Sequence, residues 1–175
     1  KLVAHFNFDN ESDKLTKDIS GNGNDGLING INKTKDKNGL ETAYQFEGKE
    51  NQNIIIENPK NIPINDDPRT IAMWIKYTGI PDHTNHTSLI SWGGSGDNPK
   101  NVFHFRIMND HENYPNFVLE QKGVVPEFWI RHDEDESLQK IVGNWAHIAL
   151  TFDKNSDSPL CFYVNGQKLN YKADL

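Results

Sequence analysis

Gly143-Asn144-Trp145-Ala146-His147-Ile148-Ala149-Leu150-Thr151-Phe152-Asp153 decides the fold class. From Trp145 to Phe152 it alternates, with Ala146, Ile148, Leu150 and Phe152 in one row and Trp145, His147, Ala149 and Thr151 in the other. A period of two is the pattern of a β-strand with one face in a core. Leu160-Cys161-Phe162-Tyr163-Val164 follows, ending in Asn165-Gly166, a pair suited to the two positive-φ positions of a type I′ turn. An antiparallel hairpin returning through residues 167–169 is therefore expected.

Outward from this hairpin the same grammar recurs. Short β-rich runs at residues 2–8, 53–57, 70–77, 89–92, 102–108, 117–121 and 127–132 are separated by clusters of Asn, Gly, Asp and Pro. Helical periodicity is missing, and no internal repeat is found. The polar stretch 11–38 carries Gly21, Gly23, Gly26 and Gly30, with Leu27, Ile28 and Ile31 as apolar anchors, so it reads as an ordered surface loop or a pair of tight turns. In residues 102–108, Phe103, Phe105 and Ile107 must face the core, leaving His104 and Arg106 opposite. In residues 127–132, Phe128 and Ile130 share a face with His132, leaving Glu127, Trp129 and Arg131 on the other. Such a sheet offers its second face to solvent or to a ligand.

The composition narrows the partners. With 18 Lys and Arg against 25 Asp and Glu in 175 residues, the net charge is −7, which opposes phosphate-backbone binding and disfavours nucleic acid. Cys161 is the only cysteine, so neither an intrachain disulfide nor a multi-thiolate zinc site can form. No window is apolar for the length of a membrane span, and no membrane insertion is expected.

The Trp-x-His strand ending in Phe152-Asp153 and the Tyr163-Val164-Asn165-Gly166 strand end closely resemble laminin G-like, concanavalin A-like jelly-roll modules. Residues 2–9, 18–26, 44–48 and 70–76 agree with the same family in order. The resemblance implies an all-β jelly-roll sandwich of two antiparallel sheets, formed as a single domain over residues 1–175. These modules normally close with two more strands after the Asn-Gly hairpin, so the chain reads as an excised or C-terminally incomplete segment of a larger multidomain protein.

Several constellations bear on chemistry. Asp18, Ser20, Asn22 and Gly23 occupy the first oxygen-ligand and glycine positions of a calcium loop, but the acidic residue that closes an EF-hand is replaced by Asn29. Resemblance to calcium-binding jelly rolls implies a structural Ca²⁺ held by Asp18, Asn22 and Asp25. An Asx-stabilised turn without an ion is the alternative. The acidic run Asp133-Glu134-Asp135-Glu136 superficially matches the Glu-x-Asp-x-Glu strand of related glycoside hydrolases. Its acids are contiguous, however, so neighbours cannot share a face, and a solvated loop is expected. His83, His86 and His111 lie in loop sequence, where their spacing is weak evidence for a metal.

For a ligand face the candidates are Trp92, His104, Arg106, Trp129 and Arg131, with His147 beside them. Aromatic rings stack on the apolar faces of sugars, and Arg recognises carboxylate or sulfate bidentately. The alternative is that Trp92 and Trp129 cap the core edge while the arginines form surface ion pairs. Trp74 and Trp145 are read as framework packing. The expected function is a non-catalytic carbohydrate-binding or adhesion module of an extracellular or cell-surface protein, with a glycan or an extracellular protein as ligand. The rivals are a polysaccharide hydrolase or lyase on the same scaffold and a purely structural accessory domain.

Overall fold

A computed structural model describes residues 1–9, 12–80, 86–93, 102–109, 115–121, 125–130 and 136–170, with backbone alone at 86, 109, 121 and 125–130. The described chain is all-β apart from one 3-10 turn, Gln139–Ile141. It divides into two compact units, Lys1–Ile62 and Pro63–Leu175.

The first unit holds β1 (Leu15–Thr16), β2 (Gly26–Asn29), β3 (Asn32–Thr34), β4 (Ala43–Gln45) and β5 (Asn53–Ile55). Strands β1, β2 and β5 form one antiparallel sheet, and β3 and β4 pair separately. The stretch 11–38 is thus more regular than a surface loop, because its apolar anchors alternate: Ile28 is buried, and its neighbour Leu27 pairs with Leu15 and Ile55 on the other face. Residues 2–8, expected as a strand, are not one. Their backbone groups are taken by side chains instead. His5 N–H donates to Asp18 Oδ1 at 2.9 Å, while Val3 O accepts from Asn22 Nδ2 at 3.0 Å and Asn24 Nδ2 at 2.9 Å. Phe8 further departs from strand geometry with a φ of 59°.

Gly26 pairs with Thr16 at the end of β2, and a Cβ there would meet Ile54 Cγ2 at 2.5 Å and Thr16 Cγ2 at 3.0 Å. Both neighbours are β-branched and stiff on their strands. Gly26→Ala is therefore expected to lower stability by about 1–3 kcal/mol through overpacking, checked by urea unfolding.

The second unit holds β6 (Arg69–Lys76), β7 (His86–Trp92), β8 (Phe103–Asn109), β9 (Pro115–Gln121), β10 (Val125–Ile130), β11 (Trp145–Phe152), β12 (Leu160–Val164) and β13 (Gln167–Lys168). They form two antiparallel four-stranded sheets, ordered β10-β9-β8-β7 and β13-β12-β11-β6. One core lies between them. Phe103, Phe105, Ile107, Phe117 and Leu119 come from the first sheet, and Ala146, Ile148, Leu150, Phe152, Phe162 and Val164 from the second. Phe105 and Phe162 meet across it with ring centroids 5.7 Å apart. The Asn165-Gly166 hairpin forms with φ values of 50° and 81°, which suit a type I′ turn. Asn165 Oδ1 also accepts His147 N–H at 3.0 Å. Cys161 is buried on the solvent-side row of β12, its Sγ on Ser158 O.

Arg69 is a feature that strand patterning does not flag. It is buried at the start of β6, where alternation assigns a core position. Its Nε–H donates to Asp67 O at 3.0 Å, and Nη2 donates to Asn65 O at 2.5 Å and more weakly to Ile64 O at 3.5 Å. The guanidinium carbon lies 5.9 Å from the Trp92 ring, 5.5 Å from Phe103 and 5.3 Å from Phe152. Those rings come from both sheets, so one cation joins the sheets to the 64–67 turn.

Candidate functional site

The solvent-side face of the β10-β9-β8-β7 sheet follows from its register. Opposed residues of an antiparallel pair share a face, so the burial of Phe103, Phe105 and Ile107 sends the intervening residues outward. Two cross-strand rows result. Ser88 pairs with Arg106, Arg106 with Val118, and Val118 with Trp129. Ser91 pairs with His104, and His104 with Glu120. The register thus brings His104, Arg106 and Trp129 onto one face of the backbone, although the Trp129 side chain is outside the described residues.

Polar contacts tie this face together. A register shift between Ser88 and Ile90 in β7 is the mark of a β-bulge, and Ser88 Oγ shares a 2.5 Å hydrogen bond with His104 Nε2. Arg106 Nη1 stands 3.8 Å from Glu120 Oε2, with both side chains half-buried. The face is graded. Val118 is 0% exposed and Asn116 7%, so the face is covered over that part of β9, whereas Ser88 and Ser91 at the β7 end are exposed. The accessible part runs from these hydroxyls over the partly exposed His104 imidazole to the Glu120 carboxylate, with the Arg106 side chain 16% exposed beside it, a set able to donate and accept hydrogen bonds.

Trp92 is on the other side of this sheet. It pairs with the core residue Phe103, stacks on it with centroids 4.0 Å apart and an interplanar angle of 12°, and donates its Nε1–H to Pro63 O at 3.0 Å. The parity of β7 decides this: residues opposite His104, Arg106 and Met108 join their face, and Trp92 is opposite Phe103. It takes the core-edge position, not a place beside His104. Arg131 lies outside the described residues, as do His83, His111 and Asp133, Glu134 and Asp135. Glu136 is exposed in a turn. His147 is on the outer face of the other sheet, opposite Trp74.

Ser88, Ser91 and Glu120 were not singled out from the sequence. Alternation in residues 117–121, with Phe117 and Leu119 inward, was a sufficient signal for Glu120. The β7 serines had none, because the irregularity between Ser88 and Ile90 breaks the period on which facing depends.

The calcium residues come together but serve another purpose. Asp18 Oδ1 accepts N–H from His5 and Ser20, each at 2.9 Å, and Oδ2 accepts Asn24 N–H at 3.0 Å. Asn22 turns its Nδ2 inward, donating to Leu2 O, Val3 O and Ser20 Oγ. Asp25 accepts Asp18 N–H at 3.0 Å on one oxygen and Lys17 Nζ at 2.6 Å on the other. Calcium needs converging oxygen lone pairs. Here two carboxylates face N–H donors and a lysine, and the amide presents nitrogen, so this donor set does not fit a shared Ca²⁺. Among the described residues no group of three or more His, Cys, Asp or Glu side chains is placed to hold a metal. Burial pushes the Asp18 carboxyl up, but the Ser20 hydroxyl and the N–H groups of Asn24, His5 and Ser20 outweigh it and hold it well below the usual carboxylate range.

No curated protein and no solved structure matches the chain. A laminin G family model, that of the concanavalin A-like lectin/glucanases superfamily, matches residues 47–173, more than two thirds of the chain. With its all-β make-up and its face-to-face antiparallel sheets, the chain belongs to the concanavalin A-like lectin/glucanases superfamily and has that superfamily's jelly-roll sandwich fold.

Proposed function

We propose that this chain is a non-catalytic carbohydrate-binding or adhesion module of an extracellular or cell-surface protein, with a glycan or an extracellular protein as its ligand. The observation that carries this reading is the strip of Ser88, Ser91, His104, Arg106 and Glu120 on the outer face of the first sheet. Polyhydroxylated ligands are recognised by such closely spaced donors and acceptors. Glycoside hydrolysis instead uses two carboxylates about 5–9.5 Å apart. Here Arg106 stands 3.8 Å from Glu120, and this ion pair supports reading the face as a hydrogen-bonding surface.

The test is a glycan and matrix-protein array probed with the wild type, His104→Ala and Arg106→Gln. Loss of one neutral hydrogen bond is expected to weaken a bound ligand by about threefold to tenfold for His104→Ala, and loss of a charged one by tenfold or more for Arg106→Gln. Unchanged affinity of both variants for every captured ligand would remove the site. Release of reducing ends from any polysaccharide, abolished by Glu120→Gln, would replace the binding reading with an enzymatic one.

A further inference from the structure

The second sheet carries an open face that differs in kind from the first. On the solvent side of β6 the residues are Thr70, Ala72, Trp74 and Lys76, all exposed, and Trp74 retains 49% of its surface. Register sets Trp74 against His147, Ala72 against Ala149 and Thr70 against Thr151 on β11, while Ala149 pairs in turn with Tyr163 on β12. The Trp74 and His147 rings meet edge to face with centroids 5.4 Å apart. Two alanines therefore make a low floor beside a wall of Trp74 and His147, with Tyr163 across it on the third strand.

Nothing in strand propensity requires this arrangement. A half-exposed indole on the solvent side of a sheet costs apolar hydration that a polar residue would avoid. Here it is steadied by an imidazole edge and flanked by the smallest side chains a strand commonly carries. The indole therefore stands above two small side chains on neighbouring strands, with its surface half exposed. Such an arrangement suits a pyranose ring, whose apolar C–H face lies against indole while its hydroxyls reach the imidazole, the phenol and the threonines.

We infer that Trp74, His147, Ala72, Ala149 and Tyr163 form a second glycan-contacting site, a stacking platform for a neutral pyranose residue, on the outer face of the β13-β12-β11-β6 sheet. It shares with the proposed function only the ligand class. Because the core separates the two sheets, the platform and the His104 strip lie on opposite outer faces of the second unit. A single chain then presents a stacking site and a hydrogen-bonding site to different segments of glycan.

Native affinity electrophoresis through gels containing, one at a time, soluble β-1,4-glucan, β-1,3-glucan, xylan and galactan tests this. Wild type is expected to be retarded by at least one. In that gel Trp74→Ala should raise the dissociation constant tenfold or more, with Trp74→Phe intermediate. Ala72→Arg, which fills the floor and leaves the indole in place, should match Trp74→Ala. Trp74 is half-exposed and Ala72 exposed, so unfolding midpoints report whether each variant is intact. Loss with Trp74→Ala and Ala72→Arg but not His104→Ala supports the platform and shows that the retarding glycan is held there and not on the first sheet. Loss with His104→Ala alone overturns the platform and leaves the proposed function standing. Absence of retardation in all four gels overturns the platform, as does a Trp74-dependent monomer–dimer shift in sedimentation with no glycan effect.

Discussion

Arg69→Ala is expected to lower the unfolding free energy by about 3–5 kcal/mol, the combined scale of a large-to-small core change and of buried carbonyls left without a donor. Two costs add. The carbonyls of Ile64, Asn65 and Asp67 lose their common donor, and a cavity opens among Trp92, Phe103 and Phe152. Burial lowers the Arg69 pKa, and Asp67 and Asp66 counter it, yet a guanidinium stays charged across the working pH range. Its contribution should therefore be independent of pH between 5 and 9. Arg69→Lys keeps the charge but loses the planar fork that serves several carbonyls while lying among rings, and is expected to recover less than half of the loss. Arg69→Met restores packing without hydrogen bonds and separates the two costs. Urea unfolding followed by tryptophan fluorescence measures all three variants, and Trp92 makes near-ultraviolet dichroism a local check. A loss below about 1 kcal/mol for Arg69→Ala would mean that the turn carbonyls are satisfied by water in its place.

The contrast between Arg69 and its surroundings shows what strand patterning can and cannot reveal. Where a run alternates without interruption, as at Trp145–Phe152 and in residues 102–108, the facing read from sequence matches the structure residue by residue: Ala146, Ile148, Leu150, Phe152, Phe103, Phe105 and Ile107 are all core. The Asn165-Gly166 turn was legible for the same local reason, since few pairs tolerate two successive positive φ values. Prediction failed where a side chain replaced the backbone as hydrogen-bond partner. Residues 2–8 have a strand's pattern but pair with the amides and carboxylate of Asn22, Asn24 and Asp18 instead of a ladder. For Trp92 the structure takes the core-edge alternative, because its facing depends on its register with Phe103 and not on being aromatic. Trp74 belongs by resemblance to the framework stretch 70–76, from which core or edge packing is expected. Its strand parity had already placed it with Thr70, Ala72 and Lys76, away from Ile71, Met73 and Ile75.

Asp18→Asn is expected to be the most damaging change in the first unit, costing about 2–4 kcal/mol at neutral pH, since hydrogen bonds to a charged acceptor each contribute roughly 1.5–3 kcal/mol and are partly replaced by the amide oxygen. Asp18 gathers N–H groups from His5, Ser20 and Asn24, closing the 18–24 turn against the N-terminal segment. An amide has one acceptor oxygen in place of two and adds an NH₂ that would face an N–H donor. The pH dependence follows from the lowered pKa. A carboxyl depressed on folding contributes its full stability above the unfolded value, about 3.9, and loses it as pH falls below that value toward the folded one. The gap between wild type and Asp18→Asn should therefore be constant from pH 8 to about 5 and narrow steadily below pH 4. Asp66 is also lowered, chiefly by its Lys154 contact, and will add to the acid sensitivity of both proteins equally, whereas Asp25, lowered chiefly by Lys17, is opposed by the Asp18 charge and shifts when that charge is removed. The difference between the two curves thus reports Asp18 together with its coupling to Asp25. A calcium-loop role predicts a different pattern: wild-type stability at pH 7 would fall on adding EDTA, and the variant's would not. With both Asp18 oxygens directed at backbone N–H groups, the expected result is superimposable wild-type unfolding curves with and without chelator, and an Asp18→Asn deficit unchanged by either.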